Sequence, residues 1–386
     1  MTARLLFLIA DTGGGHRASA TAVARYLEAA HPRRYDIRIV DPFAQASPHI
    51  VASTAGLYGP LTRHMRWAWG ALYHMTNSKV AANALASSVL RLVESTIGGL
   101  LDELAPDVVV SFHPLLNHIT VRANRARRQV PVITVITDLV DVHASWACRE
   151  VDAVVVPSPG GLDRCRRAAI PADRCHYLGL PIDATFTQPF PSADERASLR
   201  RDLGLAPSRF TVLVCGGADG SGGIARRARA LASATLDVQL AVICGRNARA
   251  ARTLRQAPEM RSASVHGFVD NMADWIRASD IVASKAGPGM IAEALCCGVP
   301  LLLTSYLPGQ ERGNVEWVAD VGAGRYVPRV TQLVDAVAEL SVPGSTHLDA
   351  MRRAVRQVAR PDATARIASL IAGFAATQSA STVAAL

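Results

Sequence analysis

Two glycine-rich stretches contain most of the residues whose types and spacing could do chemistry. The first, DTGGGHRASA at residues 11–20, follows a short apolar run and places three glycines before His16. Glycine lets backbone and substrate approach closely, and histidine titrates in the range that suits a general base near neutral pH. Gly14 and Gly15 could also line a departing phosphate group. The other interpretation is a plain helix start that His16 caps.

The second stretch, SKAGPGMIAEALCCGVPLLLTSYLPGQERGN, begins at residue 284. Gly287 and Gly289 flank the predicted start of a helix, and unshielded amides at a helix start bind anions. Lys285 adds a positive charge beside them. Glu293 lies one turn further on, where a carboxylate could bind the vicinal hydroxyls of a ribose. A tight strand-to-helix turn with a surface glutamate is the structural alternative.

Four further candidates follow other apolar runs. Gly216 and Gly217 open CGGADGSGG (215–223), whose amides could hold a phosphate, although one glycine-rich loop is weak evidence. The segment VHGFVDNMADWI (265–276) provides a loop on which a base could stack. Asp138 and His113 each end an apolar run, as a base or as a helix cap. The sequence does not rank them against His16.

The elements that must position these residues alternate between strand and helix. Uninterrupted Val, Ile and Leu runs at 5–10, 37–40, 108–112, 132–136 and 153–156 predict parallel strands covered on both faces. A second set of strands is predicted at 210–215, 239–244, 264–266, 281–283 and 300–304. We therefore predict two Rossmann-like, doubly wound α/β domains that face a central cleft. Their predicted bounds are 1–180 and 209–360, with a proline-rich linker at 181–208 and a C-terminal helix and tail at 361–386.

Composition and charge indicate the kind of partner and the cell compartment. The 386 residues carry a formal net charge of +9, which favours an acidic partner such as a nucleotide, a nucleic acid or an anionic membrane. Seven cysteines without a CxxC pair indicate buried thiols in a reducing compartment. No uncharged run resembles a signal peptide or a membrane span, which predicts a cytoplasmic protein that at most lies on a membrane.

One segment has the composition of a membrane-surface contact. Residues 57–79 begin at Leu57, end at Lys79, and contain Trp67 and Trp69 with basic but no acidic residues. Aromatic rings and arginines suit the headgroup region of an anionic bilayer. An ordinary core-facing helix with an arginine-rich outer face is the alternative.

Six motifs together closely resemble the monogalactosyldiacylglycerol synthases and the bacterial diacylglycerol glucosyltransferases. They are DTGGGHRASA, SFHPLLNH, VITDLVDVHASW, GLPID, HGFVDNMADW and KAGPGMIAEALCCGVPLLLTSYLPGQERGN, and the resemblance covers roughly residues 5–330. These enzymes belong to the inverting glycosyltransferase family 28, with the N-acetylglucosaminyltransferase that makes lipid II. The resemblance implies a GT-B fold and transfer of a hexose from a UDP-sugar to a lipid, here diacylglycerol, at the inner face of the cell membrane.

The resemblance also implies residue roles. His16 would be the base or would position the acceptor, and Glu293 would hold the ribose. Phe268 and Val269 would contact uracil through their backbones. Amides facing the diphosphate would come from Gly287, Gly289 and Met290. The sugar hydroxyls would be bound by the side chains of Gln310, Glu311 and Asn314. Met290 departs from the family, where a small hydroxyl residue usually follows this glycine.

No cofactor or metal is expected, because helix N-termini and Lys285 would stabilise the leaving UDP. The sequence has no Asp-x-Asp motif; Asp138 and Asp141 are three residues apart. The expected partners are UDP-sugar, a lipid acceptor and, through residues 57–79, an anionic membrane, but no nucleic acid. Two alternatives remain: an isomerase like the UDP-sugar 2-epimerases, and a non-catalytic lipid- or nucleotide-binding relative.

Overall fold

The chain forms two compact bodies. The computed structural model describes residues 2–11, 14–46, 89–220 and 222–384. The first body comprises Met1–Ala184, Pro308–Gln310 and Asp362–Leu386, and the second comprises Thr185–Leu307 and Glu311–Pro361. The segment 57–79, with its proposed membrane contact, lies outside the described residues.

A parallel sheet of six strands forms the centre of the first body. The strands are β1 (Ala3–Leu8), β2 (Tyr35–Val40), β3 (Val108–Ser111), β4 (Val132–Val135), β5 (Ala153–Val156) and β6 (Cys175–Tyr177). Their order across the sheet is β2-β1-β3-β4-β5-β6. Because β2 lies on one side of β1 and β3 to β6 follow on the other, the strand order reverses between β1 and β3. In doubly wound sheets a ligand site lies at this switch point, beyond the carboxyl ends of the strands. The predicted runs match β1 to β5; β6 is short and half-buried, without an apolar run.

Helices cover the faces of this sheet. They are α1 (Gly15–Ala30), α2 (Pro42–Ala46), α3 (Val89–Leu104), α4 (Asn117–Arg125) and α5 (Pro159–Arg167). The helix α1 begins after Gly14, whose φ of 81° lies in the left-handed region that favours glycine. Val23 and Leu27 lie on its buried face. Consequently His16, in the first turn, is held at the carboxyl end of β1.

The second body repeats the architecture. Its strands are β7 (Thr211–Cys215), β8 (Gln239–Ile243), β9 (Ser264–His266), β10 (Ile281–Lys285), β11 (Leu301–Ser305) and β12 (Gly324–Tyr326). They are parallel in the order β12-β11-β10-β7-β8-β9, with the switch point between β7 and β10. The helices are α6 (Ala193–Asp202), α7 (Ile224–Ser233), α8 (Ala248–Gln256), α9 (Met272–Ala278), α10 (Pro288–Cys296), α11 (Arg312–Asp320), α12 (Val330–Leu340) and α13 (Thr346–Val358).

The predicted linker, 181–208, is shared between the two bodies: residues up to Ala184 belong to the first and later ones to the second. Residues from Thr185 onward pack with the second body, because Arg200 of α6 forms an ion pair of 2.6 Å with Asp280 and donates to the carbonyl of Ala278. The final helix, α14 (Ala363–Ala384), returns to the first body, where Ile367 and Ile371 join the core that contains the buried face of α1. This helix occupies nearly all of the segment 361–386, for which the sequence predicted a helix and a tail.

Two further properties concern the membrane and the cysteines. In the described part of the chain, no helix combines the length and the apolar character that crossing a membrane requires. All seven cysteines are thiols, and six of them are buried.

Candidate functional site

His16 is the centre of the site in the first body. Its Nδ1 shares a hydrogen bond of 2.8 Å with the hydroxyl of Thr137, which follows β4. Burial lowers the pKa of His16 to about 4, against the opposing effects of a hydrogen bond with the Phe112 backbone and of the Asp11 carboxylate. The imidazole is therefore neutral at neutral pH, the state in which a histidine can accept a proton.

His113 lies against His16. It follows β3, and the two ring centroids are 4.8 Å apart in an edge-to-face arrangement with an interplanar angle of 77°. Burial, together with the charge that His16 would carry, holds the pKa of His113 well below its usual range. Two imidazoles at this distance disfavour each other's protonation, so this site accepts one proton at a time.

Asp138 is fixed by two hydrogen bonds. Its Oδ2 accepts from the indole N–H of Trp146 at 2.7 Å, and its Oδ1 accepts from the amide of Gln310 at 3.0 Å. Pro308–Gln310 pack with the first body. Trp146 is completely buried, and its ring centroid is 6.2 Å from that of His16. The structure thus brings the three base candidates into one cluster, in which Nδ1 of His16 shares a hydrogen bond with Thr137, next to Asp138 in the chain.

Beside this cluster lie an ion pair and two exposed glycines. Arg17 donates through two nitrogens to both oxygens of Asp11, at 2.7 and 2.6 Å. Gly14 and Gly15 are exposed, and a Cβ placed on either would meet no atom of the described residues within 4 Å. The start of α1 therefore offers open space for a ligand beside His16.

In the second body, the end of β10 and the start of α10 form the predicted anion site. Gly287 precedes α10 in an extended conformation, with Pro288 at the first helical position. The ammonium of Lys285 lies 2.9 Å from Oε1 of Glu311, and the other oxygen of Glu311 accepts from the amide of Leu307 at 2.7 Å. Glu311 is only 4% exposed. The glutamate therefore holds both the lysine and the loop after β11.

The loop after β7 completes this edge. A Cβ placed on Gly217, whose φ is 68°, would lie 3.6 Å from Cε of Lys285. Gly216 precedes it, and the sulfur of Cys215 is 3.9 Å from that of Met290. The carboxyl ends of β7 and β10 thus bring the two predicted phosphate loops together at the switch point.

Phe268 lies on the β8 and β9 side of the same sheet. Its side chain is 61% exposed, and the guanidinium of Arg246 lies 5.6 Å from the ring centroid. Both line a cavity of about 550 Å³ that Arg252 and Arg255 also border. Val269 follows in a half-buried position. An exposed aromatic ring beside guanidinium groups suits a planar base attached to phosphates.

The three residues expected to bind sugar hydroxyls have protein partners in this structure. Gln310 donates to Asp138, Glu311 accepts from Lys285, and the buried amide of Asn314 donates to the carbonyl of Ala286 at 2.9 Å. Glu293 is half-buried, with a carboxylate oxygen 3.8 Å from where a Cβ on Gly289 would lie. Their assignment to ribose and sugar remains a prediction.

Sequence reasoning missed three neighbours of the site. Thr137 and Trp146 stood unremarked inside the quoted motif VITDLVDVHASW, and Arg246 lay outside every motif. A polar residue at a strand end was the available signal for Thr137. Nothing in the spacing indicated that Arg246 meets Phe268, because they follow different strands.

Family models match both bodies. The one described as "Monogalactosyldiacylglycerol (MGDG) synthase" matches residues 16–182. The one described as "Glycosyltransferase family 28 C-terminal domain" matches residues 211–367. The first match begins at His16, and the second contains the whole Lys285–Glu311 site.

Individual relatives cover nearly the whole chain. The monogalactosyldiacylglycerol synthase of Spinacia oleracea is 33% identical over 376 residues, which is 94% of this chain and 71% of the relative. Monogalactosyldiacylglycerol synthase 1 of Arabidopsis thaliana is 31% identical over 374 residues, 94% of this chain and 69% of the relative. Among solved structures, MurG of Acinetobacter baumannii has a TM-score of 0.62 at 18% identity, covering 96% of this chain and 99% of MurG. This likeness confirms the predicted fold class: two doubly wound α/β domains of the GT-B type.

Proposed function

The chain belongs to the family of the monogalactosyldiacylglycerol synthases, and from this we infer that it is a glycosyltransferase that moves a sugar from a UDP-sugar to diacylglycerol. The predicted resemblance is therefore confirmed. The observation that carries the inference is identity of 31–33% across 94% of the chain, with relatives that are named for this synthesis. An inverting transfer of a hexose is the finer proposal.

The second body is proposed to bind the donor. The first turn of α10 at Gly289 and the ammonium of Lys285 present positive charge, which favours a diphosphate. The amide of Gly287 does not contribute as expected, because it donates to the carbonyl of Lys285 at 2.9 Å. Glu293 would then bind the ribose, while the backbone of Phe268 and Val269 would contact uracil. As UDP leaves, the same charges stabilise it, so no divalent cation is proposed at the diphosphate. Transfer should not depend on added Mg²⁺ or Mn²⁺.

The first body is proposed to supply the base. His16 is neutral, its ring is held by Thr137, and open backbone at Gly14 and Gly15 leaves room for an acceptor hydroxyl. In a one-step inversion the hydroxyl oxygen attacks the anomeric carbon, His16 takes its proton, and the bond to the UDP oxygen breaks. Asp138 acts through Trp146, which it fixes beside His16, and is thus a positioning residue.

Membrane association is proposed through residues 57–79. Diacylglycerol resides in a bilayer, and the aromatic and basic composition of this segment suits an anionic surface. The proposed location is the inner face of the cell membrane, where nucleotide sugars are available.

One assay separates the proposed activity from its alternatives. The purified chain is incubated with vesicles containing diacylglycerol and with UDP-galactose or UDP-glucose, and lipids and nucleotide sugars are analysed by mass spectrometry and chromatography. A monohexosyldiacylglycerol and equimolar UDP are expected. Conversion of the UDP-sugar without lipid would indicate an isomerase. Nucleotide binding with no product from any donor would indicate a non-catalytic relative.

A further inference from the structure

His118, Cys148 and Glu150 form a cluster that includes none of the proposed donor and base residues. Within the described part of the chain, one ligand atom of each lies within 4.8 Å of the other two. The thiol of Cys148 donates to Oε2 of Glu150 at 3.3 Å. In a tetrahedral zinc site with bonds of 2.0–2.3 Å, ligand atoms are about 3.5 Å apart. The sulfur and the carboxylate oxygen already have about this spacing, and the imidazole, within 4.8 Å of both, needs to approach by at most about 1.3 Å.

The chemistry of the three groups selects the ion. A thiolate, an imidazole and a carboxylate suit a borderline divalent ion such as Zn²⁺, whereas Mg²⁺ and Ca²⁺ prefer oxygen ligands alone. A thiolate and a carboxylate carry two negative charges, which balance one divalent cation. Arg122 and Arg125 oppose cation binding nearby, but Arg122 is paired with Glu94 at 2.9 Å, which offsets part of its charge.

The surroundings also hold the ligands in place. A hydrogen bond between the His118 imidazole and the Ala147 backbone fixes the ring. Histidines that bind zinc usually make such a bond with the ring nitrogen that does not face the metal. Cys148 is completely buried in the core, whereas His118 and Glu150 are exposed, so an ion can enter from the surface. A fourth position remains for water.

We propose that His118, Cys148 and Glu150 bind a zinc-type divalent ion that fastens α4 to the loop of residues 144–150. His118 is the second residue of α4, and Cys148 and Glu150 lie in the loop. The same loop carries Trp146, whose carbonyl accepts from Asn117, the first residue of α4. An ion would thus strengthen an existing contact that holds the partner of Asp138. Its role would be structural, because none of its three ligands is a proposed donor or base residue.

The test uses the full chain, stripped of metal and titrated with Co²⁺. Saturation at one ion per chain is expected, with a thiolate-to-cobalt charge-transfer band and the strong visible bands of a tetrahedral ion. Zn²⁺ should displace the cobalt. Cys148→Ser should abolish the charge-transfer band. His118→Gln and Glu150→Gln should weaken binding at least about tenfold, since loss of outer partners alone costs that much.

Cys165→Ser is the matched control. Cys165 is 1% exposed and lies in the same core cluster as Cys148, so its replacement perturbs packing in the same body without removing a proposed ligand. It should keep the band and the affinity. His118→Gln and Glu150→Gln change exposed side chains, and circular dichroism verifies that each variant folds.

Amide exchange tests the fastening itself. Zn²⁺ should raise the melting temperature and slow exchange across residues 144–150 in the unsubstituted protein and in Cys165→Ser, but not in Cys148→Ser. The proposal is overturned by a Co²⁺ spectrum without a thiolate band, by an unchanged band in Cys148→Ser, or by loss of the band in Cys165→Ser. Metal binding without slower exchange would overturn the fastening role.

Discussion

Replacing His16 with alanine should lower kcat by about 10²–10⁴, the usual contribution of a positioned general base. UDP affinity should change little, because the proposed donor residues, apart from Gly14, Gly15 and Gln310, lie in the second body. Turnover is measured as UDP release with diacylglycerol vesicles, and UDP binding by calorimetry. A histidine that only caps α1 would instead lower the melting temperature and leave most of the turnover.

The pH dependence follows from the environment of His16. A base works unprotonated, so kcat/KM should be constant above the pKa of the histidine and fall as pH drops through it. Burial lowers this pKa from 6.5 to about 4, and the acidic limb should therefore lie well below pH 6.5. A lowering of this size corresponds to at most about 3 kcal/mol, and solvent screening of the half-buried ring reduces it.

Two variants separate His16 from its surroundings. Thr137→Val removes the hydrogen bond to Nδ1 and should lower kcat by about tenfold or less, the value of one net hydrogen bond. His176→Gln is the control, because His176 of β6 is also half-buried with a pKa lowered by burial, and it should leave the profile unchanged. Circular dichroism at each pH restricts the analysis to folded protein.

Two results would refute this reasoning. An acidic limb near pH 6.5 in the unsubstituted enzyme would mean that burial does not control the titration of His16. Nearly full turnover in His16→Ala would remove His16 as the base, and Asp138→Asn would become the next variant to measure.

Three further predictions concern the donor site, stability and the membrane. Glu293→Ala should weaken UDP binding by about ten- to a hundredfold, or 1.5–3 kcal/mol, because a hydrogen-bonded carboxylate is lost; unchanged affinity in calorimetry would exclude Glu293 from the site. Burial holds the pKa of His113 below its unfolded value, so below pH 6.5 the unfolded chain binds a proton that the folded chain does not. The free energy of unfolding should therefore fall as pH drops below 6.5, by up to about 1.4 kcal/mol per pH unit for this group. His113→Asn should make the melting temperature less dependent on pH over that range, and an equal slope in both proteins would contradict the assignment. Replacement of Trp67 and Trp69 by alanine should release the protein from anionic vesicles, whose binding should weaken with salt, without changing UDP affinity; equal sedimentation with neutral vesicles would count against an electrostatic contact.

The sequence by itself determined the fold class and the places where chemistry could occur. The ten predicted strands coincide with β1–β5 and β7–β11, and β3, β4 and β5 are buried throughout because parallel strands inside a doubly wound sheet are covered on both faces. His16, His113, Asp138, Lys285 and Gly287 lie at or just beyond strand ends, as their positions after such runs predicted. The family motifs added the activity, which the relatives confirm.

Only the tertiary structure decided which groups meet. Thr137 reaches His16 across 121 positions of the chain, and Glu311 reaches Lys285 across 26, because strand order brings distant loops to one edge. The lowered pKa of His16 arises from burial, which depends on everything packed around it. The proposed metal ligands show the same principle: His118 and Cys148 are 30 residues apart, a separation without a recognisable zinc spacing, and the packing of α4 on the following loop places them together.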